Sequence, residues 1–327
     1  MRRRREILVV LFLAAGCGGT EQSLFGDAPP DGAGGAGAGP STSASGGGGS
    51  PQGGGGTTSG GSAGAAPVSC NGNWGAPQEV FVDTTGARVQ SLAITQNELA
   101  LFYAYGDDDE VLVSSRSSID DPFGPGTPVP ELTAPCSGDQ ETLFDVSEDA
   151  LDAYVACAPW NLDCATAPCT VQHASRASTS QPFVGQGVVA STVGSSPAVA
   201  GNGLALYTNA LDPYADSAVP LFATRPSTSH PFAAAQAIPG ARAWTRALLG
   251  PEVSPDQLEI YGAELPYADA IVVSQRSNQS DPFPDPIAIP LAVVADVVGS
   301  PDLSADCRAL YFVAVTEQVR TVYVARR

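Results

Sequence analysis

The chain has 327 residues, with 34 acidic side chains against 15 basic ones and a formal net charge of −19. Every basic residue is an arginine, and this acidic excess excludes a polybasic hold on nucleic acid or anionic lipid, which needs clustered cations. The Gly-rich N-terminal stretch of some fifty residues cannot pack, which leaves roughly 260 residues, a size that fits one large all-β domain.

The first sixteen residues read as an export signal. Arg2–Arg5 form a positive start, and Ile7–Ala15 is an apolar run of nine residues, too short for the roughly 20 a spanning helix requires. The sequence Leu13-Ala14-Ala15-Gly16-Cys17 resembles the lipobox of bacterial lipoproteins, with Ala14 standing where that pattern more often has Leu. The resemblance implies cleavage before Cys17 and acylation of its thiol. Gly18 in place of Asp implies sorting to the outer membrane, with the protein facing the periplasm or the cell surface. Two or three acyl chains satisfy the requirement for more than one hydrophobic anchor. Processing would also remove four arginines and one glutamate, making the mature chain still more acidic.

Residues 17–68 comprise Cys17 and a Gly/Ser-rich tether, including Gly46–Gly49 and Gly53–Gly56. So little apolar surface cannot offset the backbone entropy of ordering, so this stretch is expected to be a flexible coil with a reach of roughly 35–45 Å.

From residue 69 to 327 the chain repeats. Four copies of an Arg-to-Pro-Phe element run from Arg116 to Pro122-Phe123, Arg176 to Pro182-Phe183, Arg225 to Pro231-Phe232 and Arg276 to Pro282-Phe283, and the arginines lie 60, 49 and 51 residues apart. A fifth arginine is expected at Arg326. A second element, Ser-x-Asp followed by Leu-x-Leu-Tyr, precedes each copy; Pro251–Asp256 with Leu258–Tyr261 is the clearest instance. Short β-prone runs alternate with Asp, Asn, Pro and Gly turns, without a sustained helical period.

This predicts four strands per repeat. Strand a ends at the Ser-x-Asp turn, strand b carries Leu-x-Leu-Tyr, strand c leads into the Arg, and strand d follows Pro-Phe. Units of about 50 residues with four antiparallel strands are propeller blades. The fifth repeat stops after strand c, whereas the folded region opens with Asn73–Val80, which aligns with a strand d. The expected fold is therefore an all-β, five-bladed β-propeller of four-stranded blades, its last blade completed by the N-terminal strand. Over residues 74–327 the repeats resemble the WD40-like (PD40, TolB-type) propeller repeats of bacterial envelope proteins. That resemblance implies the architecture and leaves function open, because one fold hosts many unrelated sites.

Among chemistry-bearing residues, six cysteines remain after Cys17: Cys70, Cys136, Cys157, Cys164, Cys169 and Cys307. An even number in an exported chain points to disulfides. A Cys70–Cys307 bridge would latch the last blade, and bridges among the other four would staple an inserted hairpin spanning residues 157–169.

Aligning the repeats puts Asp145, Glu252 and Asp302 at one position of strand a, with Ala93 and Ala198 in the other two blades. Strand a lines a propeller's channel, so these acids would converge near the axis, where five-bladed propeller glycosidases use carboxylates as acid and base. Oxygen ligation of Ca²⁺ is the alternative there, and also at Asp107, Asp108, Asp109 and Glu110, although such a run in a hairpin tip is usually hydrated surface. His230 falls at a turn position of its repeat and His173 in a strand c; neither belongs to a recognisable catalytic motif. The recurring arginines are expected to brace blades against Asp or Asn of adjacent turns.

The combined expectation is an exported, outer-membrane lipoprotein that displays a non-enzymatic propeller as a protein- or glycan-binding module for an envelope partner, held at the membrane by its lipid. No cofactor is expected. Trp160, in the inserted loop, is the candidate aromatic anchor. The alternative is a carbohydrate-active enzyme using Asp145, Glu252 and Asp302.

Overall fold

Strands that alternate with tight polar turns and recur every 50 or so residues can bury both faces only by stacking against copies of themselves. The computed structural model describes residues 72–80, 89–106, 110–136, 140–159, 170–212, 217–241, 244, 247–265, 270–293, 295–316 and 319–327, all within the unit Ser62–Arg327.

The described chain enters through β1 (Gln78–Val80). Blade 1 follows as β2 (Val89–Ile94), β3 (Ala100–Tyr105), β4 (Glu110–Ser115) and β5 (Thr127–Pro128). After a one-turn helix, α1 (Pro130–Thr133), blade 2 comprises β6 (Gln140–Val146), β7 (Asp152–Pro159), β8 (Thr170–Ser175) and β9 (Val184–Val193). Blade 3 is β10 (Ser195–Val199), β11 (Ala205–Asp212), β12 (Ser217–Thr224) and β13 (Gln236–Ala237). Blade 4 is β14 (Ala247–Val253), β15 (Glu259–Leu265), β16 (Ile271–Gln275) and β17 (Ile287–Ala288). Blade 5 takes β18 (Val297–Leu303), β19 (Ala309–Thr316) and β20 (Val319–Arg326), and its fourth strand is β1.

The closure occurs where the repeats place it: Gln78 pairs with Val324, Glu79 with Tyr323 and Val80 with Val322, antiparallel. The innermost strands touch in the order β2, β6, β10, β14, β18 and back to β2. The protein is a five-bladed β-propeller.

Each interface between blades has its own apolar core. Val80, Leu101, Phe123, Tyr311 and Val324 fill the joint between blades 5 and 1, and four equivalent clusters fill the others. A strand sandwiched between two neighbours is buried on both faces, so Ala309–Ala314 of β19 is buried without interruption. It reads as a continuous apolar run rather than an alternation.

The Ser-x-Asp turn has a local cause. The Ser304 hydroxyl donates to Asp306 Oδ1 (2.8 Å), Asp306 Oδ1 also accepts from the Arg308 amide (3.0 Å), and the Ala309 amide donates to Ser304 Oγ (2.9 Å). Ser147 with Asp149, Ser254 with Asp256 and Thr95 with Asn97 repeat the pattern. The next residue is left-handed in all five blades: Glu98, Ala150, Gly203, Gln257 and Cys307 have φ between 55° and 68°. Only one of these is glycine; the side-chain bonds around the turn hold the other four in a conformation that costs about 1 kcal/mol or more.

The arginines do brace the ring, by different contacts from those expected. Each guanidinium donates through Nε to the carbonyl of the left-handed turn residue in its own blade: Arg116 to Glu98, Arg176 to Ala150, Arg225 to Gly203, Arg276 to Gln257 and Arg327 to Cys307, at 2.6–3.0 Å. It lies over the ring of its own Pro-Phe element, 4.2–4.4 Å from the centroid for Phe123, Phe183, Phe232 and Phe283. The partners are therefore backbone carbonyls and aromatic faces, not the Asp or Asn side chains of adjacent turns.

In blade 5 the repeat arginine is Arg327, not Arg326, since Arg327 makes the Cys307 contact and sits 4.0 Å over Trp74, which replaces the Phe. Arg326 instead reaches Glu98 of blade 1 at 2.7 Å.

The guanidinium also reaches the preceding blade. Arg116 Nη2 donates to Tyr311 Oη (2.9 Å), Arg225 Nη2 to Tyr154 Oη (3.0 Å) and Arg327 Nη2 to Tyr261 Oη (3.3 Å), and Arg276 bonds Tyr207. At the fifth joint the same register position is Phe102, opposite Ala93, and Arg176 lies 5.9 Å from its ring. Glu98 adds a buried acceptor at the closing joint, taking Tyr311 Oη (2.5 Å) together with Arg326.

Cys136 and Cys157 form a disulfide (S–S 2.13 Å) that ties the segment after α1 to β7. Cys307 is disulfide-bonded as well, whereas Cys70, Cys164 and Cys169 lie outside the described residues.

The Phe102→Tyr variant is expected to supply the missing hydroxyl at the joint between blades 1 and 2 and to raise stability by about 1 kcal/mol. Tyr311→Phe should lower it by about 1–2 kcal/mol, because Glu98 and Arg116 then lose a buried partner. Urea midpoints of the two variants check both.

Candidate functional site

A strand facing the axis of a ring pairs on one edge only, so some of its amides need acceptors from elsewhere. The sequence supplies them at the aligned position of strand a. Asp145 lies opposite Tyr154, Glu252 opposite Tyr261 and Asp302 opposite Tyr311, each with its strand b. The structure thus brings the three predicted acids to equivalent positions, and all three line one cavity on the axis with Glu148, Gly201 and Pro255. The cavity holds about 320 Å³, its open mouth included.

Each acid reaches across to the next blade. Asp145 Oδ2 accepts from the Val199 amide (2.6 Å) while its Oδ1 accepts from its own neighbour Val146 (2.7 Å). Asp302 Oδ2 accepts from the Ile94 amide (2.7 Å), and the Glu252 carboxylate accepts from the Leu303 amide. In every case the donor is one residue beyond the aligned position of the following blade. Blades 2 and 3, 4 and 5, and 5 and 1 are clasped in this way. Blades 1 and 3 carry the buried alanines Ala93 and Ala198 at this position.

Burial dominates the electrostatics. It raises the Asp145 carboxyl from the usual range to about 7, against the opposing pull of the Val199 and Val146 amides. Burial likewise raises Glu252 and Asp302 well above ordinary carboxylates, and mutual repulsion adds to it: Glu252 feels Asp302 and Asp145, and Asp302 feels Asp145. Glu148, at the cavity wall, is raised by burial and by Asp149. Its carboxylate lies in the space a Cβ would occupy at position 201, so the two side by side are accommodated by Gly201.

Other sequence candidates fall elsewhere. Cys17, Trp160, Asp107, Asp108 and Asp109 lie outside the described residues, and Glu110 is the exposed first residue of β4. His173 Nε2 sits 2.6 Å from Asp152 Oδ1, and its ring stacks on Tyr154 with centroids 4.9 Å apart. His230 Nδ1 bonds Ser227 Oγ within its turn (2.6 Å). Among the described residues no group of three or more His, Cys, Asp or Glu side chains is arranged to hold a metal ion.

Sequence reasoning missed Glu148 at the cavity wall, hidden as the variable middle residue of a turn motif, and Glu98 at the closing joint, hidden as the residue after such a motif. Only the blade-to-blade offset of the ring brings Glu98 to a buried position and Glu148 to a half-buried one.

No protein-family model and no curated protein sequence matches the chain. Solved structures do. The GH43_1 enzyme from Xanthomonas citri, complexed with xylotriose, superposes with a TM-score of 0.51 at 14% identity, over 76% of this chain and 89% of that one. TolB from Acinetobacter baumannii gives 0.41 at 10% identity, over 73% of this chain and 56% of that one. A gluconolactonase from Xanthomonas campestris gives 0.42 at 9% identity, over 73% and 71%. The first of these likenesses is one of fold.

Replacing Asp302 with Ala is expected to strand the buried Ile94 amide and to cost about 2 kcal/mol. Differential calorimetry against an exposed control such as Asp120→Ala checks this.

Proposed function

We propose that this is an outer-membrane lipoprotein, anchored through acyl chains on Cys17, whose propeller is displayed on the Gly/Ser tether as a binding module for an envelope protein or glycan and catalyses no reaction. The observation that carries the non-enzymatic part is the use made of the channel acids. A glycosidase needs one carboxyl protonated and another ionised across a space open to a sugar. Here burial pushes all three toward the protonated form, and each serves as a backbone acceptor between blades. Inside its mouth the cavity has about 20 Å³ of water-accessible volume, room for roughly one water molecule and far less than a sugar ring needs. Binding is then left to the loops at the ends of the ring, held by a rigid frame.

The second reading, a carbohydrate-active enzyme, is favoured by one observation: Asp145, Glu252 and Asp302 do share a cavity, on a fold similar to that of the GH43_1 enzyme.

One experiment separates the two. The full chain, incubated with a panel of aryl glycosides, is expected to release no aglycone while retaining a component from an envelope extract or glycan array. Hydrolysis that disappears in Glu252→Gln overturns the binding reading. For the anchor, Cys17→Ser is expected to abolish incorporation of labelled palmitate and to shift the protein from the membrane to the soluble fraction; continued labelling would sink the lipoprotein assignment.

A further inference from the structure

Three carboxyl groups converge on one axial cavity, and each is also a clasp between two blades. The charges that act on them come from the same cavity. Asp145 faces Glu148. Glu252 faces Asp302, Asp145 and Glu148. Asp302 faces Asp145 and Glu148. Tyr154, opposite Asp145 on strand b, is itself pushed up to about 12, mainly by burial, and stays neutral. The remaining cavity wall is uncharged: Ile94, Val146, Val199, Val253 and Leu303, with Gly201 and Pro255.

A protonated carboxyl keeps one carbonyl oxygen for the amide of the next blade; at Asp145, where amides reach both oxygens, one bond weakens, and what offsets it is the removed cost of a buried charge. An ionised set places several anions in one confined space, on blades that must stay in contact.

We propose that the axis of this propeller is an acid-strengthened latch: Asp145, Glu252 and Asp302 take up protons when the ring closes, and each proton removes a buried charge from the joint between two blades. The inference is independent of what the ring binds.

The direction follows from linkage. A carboxyl that titrates higher in the folded ring than in the open chain holds a proton over the interval between the two values. For Asp145 this interval runs from 3.8 to about 7. There the folded state binds more protons than the unfolded one, so stability falls as pH rises through the interval and is level above it. Each carboxyl contributes up to about a tenfold loss in the folding constant per pH unit. This is opposite to the usual behaviour of ion-paired acids, whose loss of charge destabilises the fold in acid.

The test is denaturant unfolding of the full chain at about pH 5, 6, 7 and 8, comparing the native sequence with Glu252→Gln, Asp145→Asn and Asp120→Asn. Glu252→Gln keeps an acceptor for the Leu303 amide but cannot ionise. It should reduce the slope of log folding constant against pH by up to one proton and be relatively most stable at the alkaline end. Asp120→Asn, an exposed acid, should leave the slope unchanged, which separates the latch from general surface repulsion.

Equal slopes in the native chain and both channel variants, or stability that rises from pH 5 to 7, would overturn the proposal. Should a channel variant fail to fold, infrared spectra of the native protein decide. At about pH 6, where exposed acids are ionised, the carbonyl band of a protonated carboxyl should be present and should vanish in alkali; its absence at pH 6 overturns the latch.

Discussion

The antiparallel pairing of β1 with β20 is the contact on which the architecture depends. Without it β20 would be an open edge, with unpaired amides and carbonyls available to any passing strand. The three residues from Gln78 to Val80 do more than cover that edge. They carry Trp74 in just ahead of them, where Arg327 stacks upon it, and the Gly75 amide donates to the Arg326 carbonyl (2.8 Å) as Gly124 does to Ser115 in blade 1. The closing blade therefore rebuilds the interior of an ordinary blade from the two ends of the folded region. Glu98 then ties that blade to the first through Arg326, Arg116 and Tyr311.

Much of this was readable in the sequence, because a repeat reports on geometry that no single segment specifies. The constant distance from Arg to Pro-Phe fixed the strand c to strand d connection. The Ser-x-Asp element fixed the turn before strand b, and the missing strand of the fifth repeat fixed the closure. The alignment that gathered Asp145, Glu252 and Asp302 was also correct, since position in a repeat becomes position around an axis.

What the repeat could not give was the offset between neighbours. Strand b of one blade meets the Arg of the next, so Tyr311 finds Arg116 at a separation of 195 residues. Nothing local to Tyr311 or Arg116 signals that contact. The register error at the C-terminus has the same origin. Consecutive arginines are equivalent on paper, and only the bond from Arg327 to the Cys307 carbonyl and the face of Trp74 distinguishes them. The left-handed turn residues were hidden too, because Glu98, Ala150, Gln257 and Cys307 carry none of the glycine signal that usually marks such a position.

Two rings of polar groups hold the blades, and their chemistry differs with their surroundings. The arginine ring joins each cation to a carbonyl, an aromatic face and, at four joints, a tyrosine hydroxyl; buried cations are tolerable when every donor has a partner. The axial ring must instead supply acceptors to amides on an edge that has no neighbouring strand, and a carboxyl is the compact side chain that can serve two amides at once, as Asp145 does. Using carboxyls in so small a space forces them toward the neutral form, because the desolvation each suffers is compounded by the others. Alanine at the two remaining positions, Ala93 and Ala198, limits that crowding: five acids around one axis would multiply the repulsion, whereas three still bridge three of the five joints. The pattern of acid and alanine around the ring is thus a compromise between satisfying backbone amides and avoiding charge, and that compromise makes the centre of this strongly acidic protein sensitive to protons.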